Sequence, residues 1–98
     1  MCVWRLGMRW LALLVVLAAC ATEPAPNAEL AAARAAVLQA GPAVEYAPKE
    51  LAAAQRKLSA AEGALARGEN VQARRLAQEA AVDARLAWAL SENERSRQ

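Results

Sequence analysis

With 98 residues the chain is long enough for one small domain, and 28 alanines mean that much of its 57% hydrophobic content is methyl groups. It has no histidine, and its only cysteines are Cys2 and Cys20, which excludes a His/Cys zinc or haem site and a His-dependent catalytic triad. Arg5 and Arg9 account for the net charge of +2, because the remaining ten basic and ten acidic residues balance, so the chain has no excess of positive charge for nucleic acid.

The first residues have the layout of a bacterial secretion signal. Arg5 and Arg9 form a basic n-region, and residues 10–18 are an unbroken apolar run. A membrane-spanning helix needs roughly 20 apolar residues, whereas the h-region of a signal peptide needs about 7–15. We therefore predict that residues 1–19 are a cleaved leader.

A short motif of one leucine, two alanines and one cysteine overlaps the end of this run: Leu17-Ala18-Ala19-Cys20. It resembles the lipobox of bacterial lipoproteins. The resemblance implies that the Cys20 sulfur receives a diacylglyceryl group, that signal peptidase II cuts after Ala19, and that the new amino group is acylated. Two or three acyl chains would make attachment permanent, whereas one myristoyl chain binds only marginally. The alternative is an ordinary signal peptide with an incidental or buried cysteine.

The segment after the lipobox is predicted to be a tether and then a helix. Residues 20–27 contain two prolines, which disfavour helix and favour extended conformers, so we predict a lipidated tether there. Asn27 suits an N-cap, and an acidic residue follows in the first turn. Gly41-Pro42 is a stop signal. These features predict a first helix over residues 28–40.

A second helix is predicted for residues 48–67. Proline is tolerated in its first turn, and Gly68 is expected to end it as the C′ residue. Leucines recur every seven residues in this segment, with alanine three residues after each of the first two, which predicts a narrow heptad-like stripe. The leucines of this stripe are Leu51, Leu58 and Leu65.

A third helix is predicted for residues 70–93, and residues 94–98 are predicted to be a frayed polar tail. Residues at a spacing of three and four predict the buried face of this helix. They are Ala73, Leu76, Ala80, Asp83, Ala87 and Leu90. The chain shows no alternating strand pattern. We therefore predict an all-α fold, a short antiparallel helical hairpin or three-helix array over residues 28–93.

Two low-complexity segments carry a family resemblance. The first is Tyr46-Ala47-Pro48-Lys49-Glu50-Leu51 with Ala54, Lys57-Leu58 and Ala61, and the second is Gly68, Ala73-Arg74, Leu76-Ala77, Glu79-Ala80 and Asp83-Ala84-Arg85-Leu86-Ala87. Together they resemble the domain of unknown function 4398, which occurs in small alanine-rich bacterial lipoproteins. The resemblance covers residues 28–90. It implies a helical fold and a place in the cell envelope, and it leaves the activity open.

We predict an interaction surface on the third helix beside its apolar stripe, together with a tyrosine at the helix–helix corner: Tyr46, Ala77, Ala81, Ala84 and Trp88. Alanines let a second helix approach closely, and tryptophan is enriched among binding hot spots. Two alternatives stay open. Tyr46 packs over the corner with its hydroxyl on a backbone or carboxylate partner, and Trp88 packs in the core.

Asp83 falls within the predicted apolar stripe, and a buried carboxylate needs a partner. The candidates are Arg56, Lys57 and the Tyr46 hydroxyl. Glu79 lies one turn earlier on the same side, so a pair of carboxylates could form there. Because the sequence offers no nucleophile beside this pair, we expect a structural contact and no catalysis. We also expect no metal and no cofactor apart from the lipid on Cys20.

The mature chain has few large apolar side chains, and small domains with a thin core are often completed by a partner. We therefore expect a non-enzymatic, lipid-anchored structural or adaptor protein that binds another envelope protein or a second copy of itself. The alternative is non-covalent binding of peptidoglycan or a small ligand. Basic and acidic residues alternate, so nucleic-acid binding is not expected. The absence of aspartate at Ala21 and Thr22 favours the outer membrane, by resemblance to enterobacterial lipoproteins.

Overall fold

The structure is a computed structural model that describes residues 24–98. The predicted leader, lipobox and Cys20 lie outside the described residues. Three α-helices and one short 3₁₀ helix make up residues 24–98, and no strand occurs among them. The α-helices are α1 (Asn27–Gln39), α2 (Pro48–Ala66) and α3 (Asn70–Arg97), and the 3₁₀ connector (Gly41–Glu45) joins α1 to α2. The prediction of an all-α, three-helix fold is confirmed.

The helices run up, down and up around two clusters of buried residues. The lower cluster comprises Leu30, Ala33, Ala61, Ala77, Ala80 and Ala81. The upper cluster comprises Ala40, Ala43, Ala47, Leu51, Ala54, Ala84 and Ala87. The chain passes from lower to upper cluster in α1, returns in α2, and passes upward again in α3. Consecutive helices are therefore antiparallel, and α1 and α3 lie parallel to each other.

The buried seam of α3 consists almost entirely of alanine. Its members recur at alternating spacings of four and three residues and are fully buried: Ala73, Ala77, Ala80, Ala84, Ala87 and Ser91. The predicted stripe was wrong at three of its six positions, because Leu76 and Asp83 are half-buried and Leu90 is exposed. Small side chains let two helix backbones approach closely, so methyl groups form the seam and the leucines lie at its edge.

Gly68 closes α2 with a backbone geometry that the sequence predicted. Its φ is +75°, a left-handed conformation that glycine adopts without steric cost. Its N–H donates to the Leu65 carbonyl at 3.0 Å, and the Glu69 N–H donates to the Ala64 carbonyl at 2.9 Å. This pair of bonds is a Schellman motif, which satisfies carbonyls left free at the helix end. It also reverses the chain into α3.

The C-terminal residues were predicted to fray, but α3 continues to Arg97. Two ion pairs at a spacing of three residues support the last turns: Glu92 with Arg95 at 3.3 Å and Glu94 with Arg97 at 3.5 Å. In both pairs the arginine lies nearer the C-terminus, where the helix dipole favours positive charge. The predicted tail at 94–98 is therefore largely helix.

The predicted tether at 20–27 is wrong for its last four residues. The Pro24 carbonyl accepts a hydrogen bond from Arg74 Nη2 at 2.9 Å, and Pro26 is fully buried. Pro26, not Asn27, occupies the N-cap position, and α1 begins at Asn27 without a side-chain cap. Residues 20–23 lie outside the described residues. The chain is thus attached to the bundle before α1 begins.

Candidate functional site

An open groove runs between the parallel helices α1 and α3, and we call it the α1–α3 groove. Its upper part is a cavity of about 320 Å³ lined by Ala32, Ala35, Ala36, Gln39, Ala40, Ala84, Arg85 and Trp88. Its lower part is a cavity of about 280 Å³ lined by Glu29, Ala32, Ala77, Gln78, Ala81, Val82 and Arg85. The two parts share Ala32 and Arg85, so they form one continuous depression. No α2 residue lines either part.

Three alanines of the predicted interaction surface lie beneath this groove. Ala77 and Ala84 are fully buried and Ala81 nearly so, because all three lie in the clusters between the helices. These alanines are therefore not themselves exposed, and they line the floor of the groove. The residues that a partner could reach include Ala32, Ala35, Gln39 and Arg85, which are exposed. Sequence reasoning missed the α1 residues because their role depends on which helix becomes the neighbour of α3.

Trp88 combines the two interpretations that the sequence left open. It is half-buried and packs against the upper cluster, as expected for a core residue. It also lines the upper part of the groove. A large aromatic side chain fixed by packing on one side and accessible on the other has the character of an interface anchor.

Tyr46 lies outside the α1–α3 groove. It follows the 3₁₀ connector, is half-buried, and its hydroxyl donates to Gln98 Oε1 at 3.3 Å. The packing interpretation at the helix–helix corner is the better one, but the partner is an amide oxygen from the end of α3 rather than a backbone or carboxylate group. The structure does not bring Tyr46 together with Trp88 in one site.

Asp83 is paired with Lys57, one of its three candidate partners. Lys57 Nζ lies 2.8 Å from Asp83 Oδ2 and joins α2 to α3. Asp83 is half-buried rather than fully buried, with 22% of its side chain exposed. The hydrogen bond to Asp83 raises the pKa of Lys57 above 10.5, partial desolvation opposes this, and the charges of Asp83 and Glu79 add to the rise. The pair therefore keeps Lys57 cationic.

The surroundings of this ion pair support a structural role. Glu79 and Asp83 do flank a shallow cavity of about 240 Å³, together with Lys57, Arg75, Gln78 and Val82. None of these six side chains carries a hydroxyl or thiol. Among residues 24–98, no group of three or more Cys, Asp or Glu side chains is arranged to hold a metal ion. The arrangement can bind α2 to α3 electrostatically.

Large apolar side chains remain exposed on the outer face of α3. Val82, Leu86 and Leu90 recur every four residues there and are between 36% and 58% exposed. Sequence reasoning missed this feature, because it placed Leu90 in the buried stripe.

In the described part of the chain, no helix has the length and apolar content needed to cross a bilayer.

Comparison with known proteins gives one match. A family model described as a domain of unknown function (DUF4398) matches residues 28–98, which include all of α2 and α3 and nearly all of α1. No curated protein and no solved structure matches the chain. The match therefore covers the bundle, including the α1–α3 groove.

Proposed function

We propose that this chain, which belongs to the family of the domain of unknown function DUF4398, is a non-enzymatic adaptor of the bacterial cell envelope, lipid-anchored through Cys20. In this proposal the α1–α3 groove binds one α-helix of another envelope protein. The observation that carries the proposal is the groove itself, an alanine-walled depression with Trp88 at its upper part.

The dimensions and lining of the groove suit a helix. From Glu29 to Gln39 it follows eleven residues of α1, a rise of about 15 Å or nearly three helical turns. Alanine walls let a helix backbone approach closely and gain dispersion contacts. A helix in this position would complete a four-helix arrangement, with the Trp88 ring as its largest apolar contact.

The rim of the groove adds polar selectivity. Glu29 lies at the lower end, Arg85 in the middle and Gln39 at the upper end. A partner helix with an apolar stripe and polar flanks would pair with Arg85 and Gln39 while covering the alanines, since Glu29 is already paired with Arg74. Such a rim favours register and orientation more than affinity.

The membrane part of the proposal is supported by the sequence. A basic n-region, a nine-residue apolar run and Leu17-Ala18-Ala19-Cys20 occur in the order of a lipoprotein signal. Acyl chains on Cys20 would hold the bundle at a membrane, and we propose the outer membrane, with the bundle in the periplasm. A non-enzymatic role is supported by the pairing of Asp83 with Lys57.

Trp88→Ala tests the binding proposal. Chemical crosslinking in intact cells, followed by purification, should recover less of the partner complex from this variant than from the wild type. The matched control is Leu51→Ala, because Leu51 is a buried member of the upper cluster that does not line the groove. Both substitutions destabilise the bundle, by roughly 2–4 kcal/mol, since each removes packed side-chain atoms.

The two variants separate binding from stability. At a growth temperature where both are folded, the proposal expects loss of the complex for Trp88→Ala and retention for Leu51→Ala. Equal recovery from both variants would show that Trp88 serves only packing. Retention of the protein on isolated peptidoglycan sacculi, without any protein complex, would favour a glycan-binding module instead.

A further inference from the structure

Arg74 fastens the start of the described chain to α3. Its Nη2 donates to the Pro24 carbonyl at 2.9 Å, and its Nε lies 3.4 Å from Glu29 Oε1 in the first turn of α1. The Arg74 and Glu29 side chains are partly shielded from solvent, with 24% of the Arg74 side chain and 34% of the Glu29 side chain exposed. Pro26 is fully buried between these two contacts along the chain. We call this arrangement the Arg74 clamp.

The clamp lies at one end of the bundle. Because α1 and α3 are parallel, the start of α1 and the Gly68 turn lie at the same end, which we call the base. The 3₁₀ connector, Tyr46 and the end of α3 lie at the opposite end, the tip, where the Tyr46 hydroxyl contacts Gln98. Exposed valines mark both ends: Val71 is 65% exposed at the base, and Val44 is 55% exposed at the tip.

We propose that the base of the bundle faces the membrane surface and that the Arg74 clamp holds the bundle upright on it. This inference rests on the proposed lipid anchor at Cys20. Pro24 is the fourth residue after Cys20, so the connection between them reaches at most about 14 Å. Without the Arg74 contact the first attached residue would be the buried Pro26, and the reach would grow to about 21 Å.

The reach is short compared with the bundle. From Val71 to Ala87, α3 rises about 24 Å, and Ala43, the neighbour of Val44, belongs to the same cluster as Ala87. A 14 Å connection to the base therefore keeps the Gly68 turn near the lipid head groups and the tip away from them. The occupant of the base is the lipid surface that carries Cys20. Trp88, in the upper part of the groove, is then directed away from the membrane toward envelope proteins.

The test uses the matched valines as probe sites. In the processed lipoprotein the Cys20 thiol is alkylated and Cys2 is removed with the leader, so Val71→Cys or Val44→Cys supplies one free thiol for a fluorophore. Each labelled protein is expressed from the full chain, checked by intact mass, and reconstituted into phosphatidylcholine vesicles. A fraction of the lipid carries a nitroxide on its head group, which quenches fluorophores at short range. Circular dichroism confirms that each variant is folded.

We expect the fluorophore to be quenched several-fold more at position 71 than at position 44. Arg74→Ala should shrink this difference, because the longer tether lets the bundle tilt. The control is Arg34→Ala, which removes a 3.0 Å ion pair with Glu62 between α1 and α2 and leaves the clamp intact. This control should keep the wild-type difference.

The outcomes separate the orientation from the anchor. Lipidated protein with equal quenching at both positions overturns the orientation and leaves the anchor in place. An intact mass without lipid on Cys20 overturns the anchor and the orientation together. Equal effects of Arg74→Ala and Arg34→Ala would show that the clamp does not set the orientation.

Discussion

Replacing Ser91 with alanine is expected to stabilise the bundle. Ser91 occupies the last position of the alanine seam of α3, where its side chain is fully buried. Its Oγ has no hydrogen-bond partner. A buried hydroxyl without a partner costs about 1–3 kcal/mol, since it has lost its hydrogen bonds to water. Alanine removes this oxygen and matches the residue at the other seam positions.

The size of the effect follows from two contributions. Removing the unpaired hydroxyl should contribute about 1–2 kcal/mol, and the higher helix propensity of alanine adds roughly 0.5 kcal/mol. For a domain of this size, each kcal/mol raises the Tm by about 4–8 °C. Thermal and urea unfolding of the purified protein, followed by circular dichroism, measure the change.

Ser59→Ala provides the control, because Ser59 is exposed in the middle of α2. It gains helix propensity without relieving a buried hydroxyl, so its effect should stay near 0.5 kcal/mol. If Ser91→Ala raised the Tm no more than Ser59→Ala, the hydroxyl would not be unpaired in the folded protein. A lower Tm for Ser91→Ala would refute the reasoning outright.

Two further predictions concern the helix interfaces. Ala80→Leu inserts a large side chain into the fully buried seam and should lower the free energy of unfolding by about 2 kcal/mol or more, whereas Ala60→Leu on the exposed face of α2 should change it little; urea unfolding measures both. The pKa of Lys57 is raised above 10.5 in the folded state, so its pair with Asp83 stabilises the fold fully below that pH and is lost as the pH rises through the folded-state pKa. The Tm of the wild type should therefore fall more steeply above pH 10.5 than that of Lys57→Met, and parallel curves would contradict this role.

Local backbone chemistry made the helix count predictable. Pro42 lacks an N–H and restricts the residue before it, and Gly68 adopts a left-handed φ, so α1 and α2 end within a residue of the predicted positions. The heptad spacing of Leu51, Leu58 and Leu65 likewise marked the inner side of α2, where Leu51 is buried and Leu58 and Leu65 pack against the lower cluster.

Properties that depend on distant parts of the chain were not predictable in this way. The seam of α3 was predicted about one residue out of register at Leu76, Asp83 and Leu90, because leucine was given more weight than alanine as a core residue. Where two helices approach closely, alanine is the residue that fits between them, and leucine lies at the edge. The Arg74 clamp joins residues fifty positions apart, and nothing local to Pro24 indicates it. The α1–α3 groove likewise arises only once α1 lies beside α3.

Site-specific photocrosslinking in living cells tests the central claim most directly. A photoreactive amino acid at Ala35, which is exposed and lines the groove, is compared with one at Arg56, which is exposed on α2 and lines neither part of it. We expect one discrete crosslinked product from position 35, with the crosslink mapped by mass spectrometry to one helix of the partner, and no such product from position 56. The same product from both positions, or none from position 35 in cells whose Cys20 is lipidated, would contradict it.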